Sequence, residues 1–209
     1  MVHRTPFFLP LLYPALTWRI PVESKQIFLT FDDGPVPGPT EFVLETLAKS
    51  KAKATFFCIG DNVRKYPHIF ETIVEQGHVV GNHTYNHVNG WQMGVDEYAQ
   101  NTFKCSEVMQ SLFQGKVSRL FRPPYGRITR KQIKALSQFQ IIMWDVLTID
   151  YNSRLKPDQC LRNSIAATRN GSIVVFHDSL KAAKNLSQVL PRYLEHFSEQ
   201  GFEFNVIPS

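Results

Sequence analysis

Leu29-Thr30-Phe31-Asp32-Asp33-Gly34-Pro35 is the stretch on which the reading of this chain turns. The apolar run from Gln26 to Phe31 reads as a buried strand, and it ends in two adjacent carboxylates, a glycine and a proline. Neighbouring acids repel, so the pair is costly unless a cation or a proton lies between them. Asp-Gly-Pro alone is ordinary turn chemistry. The doublet becomes informative only where distant parts of the chain supply partners for it.

Working outward, strand and helix signals alternate. Further strands are expected at Ala54 to Ile59, His78 to Gly81, Arg119 to Phe121, Gln140 to Trp144, Ser172 to Phe176 and around Phe202 to Ile207. Between them, Thr40 and Thr129 are candidate N-caps, Pro67 and Pro157 open helices, and Gly77 closes one. Val95 to Leu112 has the period of a long amphipathic helix, and the last helix turns Leu186, Val189, Leu190, Leu194 and Phe197 inward. Apolar strands alternating with helices call for a parallel sheet with helices outside.

The polar residues choose between an open sheet and a barrel. Asp32/Asp33, His83/His87, Arg122, Asp145/Asp150 and His177/Asp178 fall just past the ends of strands one, three, four, five and six. A closed (β/α) barrel brings those ends to one rim, whereas an open sheet gathers only the neighbours of one switch point. The expectation is an α/β barrel domain over residues 26–209, with residues 1–25 as an arm packed on it.

Composition narrows the partners. The 209 residues are 43% hydrophobic, enough for one substantial core. The net charge is +5, but Lys and Arg are scattered, which argues against nucleic acid. Cys58, Cys105 and Cys160 each sit in an apolar-periodic segment and read as buried free thiols. Phe7 to Trp18 is apolar, but Pro10 and Pro14 interrupt it and no small-residue cleavage site follows. The run is too short to span a bilayer, so membrane contact by the arm is the lesser alternative and a cytoplasmic location is favoured over a periplasmic one.

The chemistry centres on His83 and His87, four residues apart and able to point the same way from one helical turn. With one carboxylate they form a two-His, one-Asp set that leaves coordination positions open, as catalytic metal sites do. His83-Thr84-Tyr85-Asn86-His87 contains no Glu to serve as base. The doublet supplies one: Asp33 holds the metal while Asp32 accepts a proton from the water that the metal activates.

Thr30-Phe31-Asp32-Asp33-Gly34-Pro35, His83-Thr84-Tyr85-Asn86-His87, Arg122-Pro123-Pro124-Tyr125 and Phe176-His177-Asp178 together resemble the ordered motifs of polysaccharide deacetylases, carbohydrate esterase family four (the NodB-homology domain). The resemblance runs from about residue 26 to 205. It implies a distorted (β/α)7 barrel and metal-dependent removal of acetyl groups from acetylated sugars, above all N-acetyl groups of GlcNAc-type residues. It also implies that Asp32 is the general base and that Asp33, His83 and His87 hold the metal, usually Zn²⁺, with Co²⁺ or Ni²⁺ as alternatives. Arg122 then orients Asp32, the backbone N–H of Tyr125 serves the oxyanion hole, and His177 is the general acid. The implied partner is an acetylated amino-sugar polymer or oligosaccharide; in the loop after His87, Trp91 either offers it a stacking face or packs under the loop.

One motif departs from the family pattern of Asp-x-x-Asp-Trp preceded by Trp. Trp144 is followed by Asp145-Val146-Leu147-Thr148-Ile149-Asp150-Tyr151, so Leu147 stands at the first Asp position and Tyr151 at the Trp position. Asp150 and Asp145 are therefore both candidates to support His177, with Asp150 preferred. Val175 replaces a Leu in what resembles the acetyl-methyl pocket, and slower or narrower activity is expected. Two competing readings remain. A catalytically silent carbohydrate-binding protein on the same barrel would explain the altered motif, although the base, ligands, Arg122 and His177 are all retained. A non-haem Fe(II) oxygenase shares the two-His, one-carboxylate set, but those enzymes generally use all-β folds.

Overall fold

The computed structural model describes residues 3–112 and 118–208. Its strands are β1 Gln26–Asp32, β2 Thr55–Cys58, β3 Val79–Asn82, β4 Leu120–Phe121, β5 Gln140–Ile141, β6 Val146–Leu147, β7 Ile173–His177 and β8 Glu203–Phe204. The helices are α1 Phe8–Leu12, α2 Pro39–Lys49, α3 Gly60–Lys65, α4 Pro67–Glu75, α5 Val95–Leu112, α6 Arg130–Ala135, α7 Pro157–Ala167 and α8 Ala183–Glu199. All strand pairs are parallel, in the order β5-β4-β3-β2-β1-β7-β6, with β8 added beside β1. The sheet is curled, with helices outside it, as the alternation of strand and helix signals predicts.

Strand periodicity explains the two faces. In β1, Ile27, Leu29 and Phe31 belong to the core beneath the helices, together with Leu47, Phe70, Leu190 and Tyr193. Phe28 points to the opposite side and packs with Phe57, Leu120, Ile142 and Ile173 inside the curl. Thr30 and Asp32 follow Phe28 at the same two-residue period, so they project into that interior.

The fifth predicted strand is split. Residues 140–147 pair with β4 at their start and with β7 at their end, so one segment crosses between the two edges of the sheet. β5 and β6 do not pair with each other; the arm fills the seam between them. Thr17 donates to the Ile141 carbonyl and accepts from Met143 N–H, Thr5 donates to Asp145, and His3 accepts from Leu147. Trp18 and Leu16 are buried in the same region. A segment that changes partners halfway cannot keep one continuous ladder, which is why it breaks at Ile142–Asp145.

One local expectation needs correction. Thr129 caps α6 in a capping box with Gln132, as expected, and Pro67 opens α4. Thr40, however, is not an N-cap: α2 begins at Pro39, and Gly38 precedes it with its N–H on the Glu41 carboxylate. The Thr40 hydroxyl is instead committed to Asp178, at 2.6 Å.

Candidate active site

Parallel register explains how residues scattered along the chain meet. Asp32 lies beside His177 on β7, Cys58 beside Asn82, and Asn82 beside Phe121. The residues that leave these strands, Asp33, His83 and Arg122 among them, therefore emerge at one rim. There Asp32, Asp33, His83, His87, Pro123, Tyr125, Trp144, Leu147, Tyr151, Val175, His177 and Lys181 line a cavity of 480 Å³.

Arg122 is fully buried inside the curl. Its Nη1 donates to Asp32 Oδ1 at 2.7 Å and to Thr30 Oγ1 at 2.7 Å, while Nε and Nη2 donate to the Ile142 and Met143 carbonyls. The guanidinium also sits 4.1 Å from the centre of the Phe57 ring. Burial lowers its pKa below the ordinary arginine value, and the Asp32 carboxylate offsets part of that cost. All three guanidinium nitrogens donate, in four hydrogen bonds, so Asp32 is held in one orientation beside a fixed cation. Thr30 was not singled out from the sequence, although its position two residues before Asp32 on the same strand face was the available signal.

His83 and His87 do not share a helical turn. They lie in the loop after β3, with Thr84 and His87 in the left-handed region at φ 62° and 55°. Side chains replace helical hydrogen bonding there. Asn82 Oδ1 accepts from Thr84 N–H, Asn101 Oδ1 from Tyr85 and Asn86 N–H, and Thr84 Oγ1 from Val88 N–H. The turn still brings the two imidazoles together, with ring centres 5.1 Å apart. Asp33 Oδ1 lies 3.2 Å from His87 Nε2 and 3.8 Å from His83 Nε2.

The donor set suits a divalent cation. The ligand atoms of Asp33, His83 and His87 all lie within 4.8 Å of one another. His83 Nδ1 is 2.7 Å from the Arg122 carbonyl, which can only accept, so Nδ1 carries the proton and Nε2 keeps its lone pair toward the site. Burial lowers the His83 pKa to about 4, which keeps that ring neutral. Burial alone would raise Asp33, but the His87 hydrogen bond and the imidazoles of His177 and His83 hold it well below the usual carboxylate range. A carboxylate oxygen and two imidazole nitrogens are what Zn²⁺ and similar ions take.

The ligand-bearing loops are braced from β2 and α3. Ile59 N–H donates to Gly34, Gly60 N–H to Thr84 and Asp61 N–H to Tyr85. Asn62 Nδ2 donates to the Asp33 carbonyl at 2.8 Å, and Asp33 itself has φ 85°. Beneath the same turn, Asp178 accepts from Gly34 N–H and from Thr40, and burial pushes its pKa up to about 8. A Cβ at Gly34 would run into that carboxylate. Among the described residues, every non-glycine with positive φ except Lys51 lies in the site or next to it: Asp33, Thr84, His87, Tyr125 and Ile149. Strain gathered in this way is characteristic of functional loops.

Asp145 and Asp150 separate cleanly. Asp150 Oδ1 is 2.7 Å from His177 Nδ1, and its Oδ2 accepts the His177 N–H. Asp145 is remote from His177, at the opposite end of β7, where it accepts from Ser172 and from both arms of Arg169. The expectation that Asp145 stands at the rim is therefore corrected: residues 142–145 pass the start of β7, and Asp145 N–H donates to the Ile173 carbonyl. Burial disfavours charge on His177, but Asp150 and the nearby Asp33 and Asp32 outweigh it and raise the pKa to about 9. Tyr151 packs edge-on against His177, and Leu147 and Val175 give the cavity an apolar wall.

Tyr125 sits in a 3-10 turn, Pro124–Gly126, at φ 60°. The hydrogen bonds of the turn run from Gly126 N–H to Pro123 and from Arg127 N–H to Pro124. Neither uses the Tyr125 N–H. The Tyr125 ring packs edge-on to His87 and is largely exposed.

Comparison with known proteins places this geometry. The sequence profile described as polysaccharide deacetylase matches residues 19–144. A peptidoglycan-N-acetylglucosamine deacetylase of Bacillus cereus is 33% identical over 198 residues, covering 93% of this chain and 71% of that protein. A chitooligosaccharide deacetylase of a Bradyrhizobium strain is 28% identical and covers 96% of this chain and 97% of its own. Among solved structures, a peptidoglycan N-acetylglucosamine deacetylase superimposes with a TM-score of 0.89 at 32% identity, covering 98% of this chain and 95% of that one.

Proposed function

The chain belongs to the polysaccharide deacetylase family, and from that premise we propose that it removes N-acetyl groups from GlcNAc-type residues of a cell-wall glycan or chitin-type oligosaccharide, with Asp32 as general base and His177 as general acid. Asp33, His83 and His87 hold the divalent metal, with Zn²⁺ the proposed ion. When bound, such an ion supplies Lewis-acid polarisation of the acetyl carbonyl and a lower pKa for water.

The residues of the chain do the rest. Asp32, fixed by Arg122, which Thr30 in turn holds, takes a proton from the attacking water. The Tyr125 N–H, which the hydrogen bonds of its own turn leave unused, serves the oxyanion that develops on the carbonyl, and such a donor lowers the barrier by about 3–4 kcal/mol. Leu147 and Val175 receive the acetyl methyl. His177, kept protonated by Asp150, gives its proton to the departing amine.

The observation that carries this reading is the pairing of base and acid at matched register on adjacent strands, Asp32 on β1 and His177 on β7, with the metal-ligand set beside them. The same observation stands against a silent binding protein, for which neither buried pair would be required. The test is acetate release from chitin, peptidoglycan and acetylxylan oligomers. Activity that is abolished by a chelator, restored by Zn²⁺ or Co²⁺, and lost in Asp32→Asn with metal binding retained is the expected result. Saturable glycan binding with no acetate from any of these substrates would overturn it.

A further inference from the structure

A second cavity, of 350 Å³, lies between the N-terminal arm and the rim, walled by Leu9, Tyr13 and Trp18 of the arm and by Trp91, Tyr125 and Trp144. Its size falls in the range of small-molecule sites. Tyr125 and Trp144 border this cavity and the catalytic one alike, so a chain molecule seated in one meets the other directly. Gly126 makes the approach possible: a Cβ there would come within 2.6 Å of the Trp144 ring.

The lining is suited to one kind of occupant. Trp91 is 65% exposed and Tyr125 60% exposed, so flat rings are presented rather than packed away. Arg127 sits 5.1 Å from the Trp91 ring centre and 5.9 Å from that of Tyr125, and Arg130 sits 5.9 Å from that of Tyr13. Aromatic faces take up the C–H face of a pyranose, and the guanidinium groups beside those rings offer donors to hydroxyl and acetamido oxygens. We propose that this arm-walled cavity is a glycan subsite that binds the sugar residue next to the one being deacetylated. The proposal rests on the deacetylase reading and adds to it that the arm, and not only the barrel rim, selects for chain length.

The experiment compares the GlcNAc monomer with chitopentaose on wild type, Tyr13→Ala and Trp91→Ala, each first checked for an unchanged thermal midpoint. Trp91 is exposed, so its truncation leaves the fold intact even if Tyr13→Ala loosens the arm. The expected result is a KM at least ten-fold lower for the pentamer in wild type. Most of that gain should be lost in both variants, while kcat/KM on the monomer changes less than two-fold. Equal effects on monomer and pentamer, or a pentamer KM that the variants leave unchanged, would overturn the subsite. If wild type releases no acetate from these sugars or from peptidoglycan and acetylxylan oligomers, the deacetylase reading fails instead. Chitopentaose quenching of tryptophan fluorescence then decides the subsite: a response lost in Tyr13→Ala supports it, and equal or absent quenching overturns it.

Discussion

Asp145 and Asp150 stand five positions apart and face opposite ends of the same curled sheet. Asp150 grips both the ring and the backbone N–H of His177, so Asp150→Asn should lower kcat by about 10²-fold, the usual worth of a positioned acid. Asp145→Asn should leave turnover per folded molecule unchanged and lower the urea midpoint. Its partner Arg169 is half-exposed, so that ion pair contributes little, and the buried Ser172 contact dominates a loss of about 1–3 kcal/mol. The sign of the pH dependence follows from His177. Its folded pKa of about 9 lies above the ordinary 6.5, so the imidazolium is favoured in the fold. That contribution to stability is full below 6.5 and is lost as pH rises through about 9. The alkaline limb of kcat/KM should fall in the same direction, lowered somewhat by a cation on Asp33, and Asp150→Asn should move it further toward acid. A pH profile of both proteins checks this.

At the level of single elements, the contrast lies between the strand ends and the loop after β3. The Asp doublet, Arg122 and His177 were legible because each follows a short apolar run whose period fixes where it points. The His83–His87 spacing was equally compatible with a helix, and what decides against it is not local. Asn101 on α5, far along the chain, supplies the acceptor that satisfies the Tyr85 and Asn86 N–H groups in a non-helical turn. Asn101→Ala should therefore lower Zn²⁺ affinity about ten-fold, as loss of a group that orients ligands does, measured by competition with a chelator. Asp178 was quoted in a motif but given no role, because its function is visible only in contacts with Gly34 and Thr40. Gly34→Ala should weaken metal binding as well, since the added methyl displaces the carboxylate under the ligand turn.

For the molecule as a whole, the alternation of strands and helices gave the α/β curl, but not how its edges meet. Residues 140–147 serve two non-adjacent strands, and the gap between them is filled by an arm from the far end of the sequence. No local period encodes that arrangement. Trp18→Ala, which empties a buried position in the seam, should cost about 3–5 kcal/mol in urea unfolding, while Phe7→Ala at an 83% exposed position should cost almost nothing. Everything proposed for the chemistry depends on the curl bringing the loops after β1 and β3 around one ion while Asp32 stays free of it. The most direct test is an anomalous-difference map at the zinc edge from crystals soaked in Zn²⁺. A single strong peak within coordination distance of Asp33, His83 and His87, with Asp32 outside that shell and still on Arg122, is the predicted result. A peak ligated by Asp32, or no peak among these three residues, would contradict it.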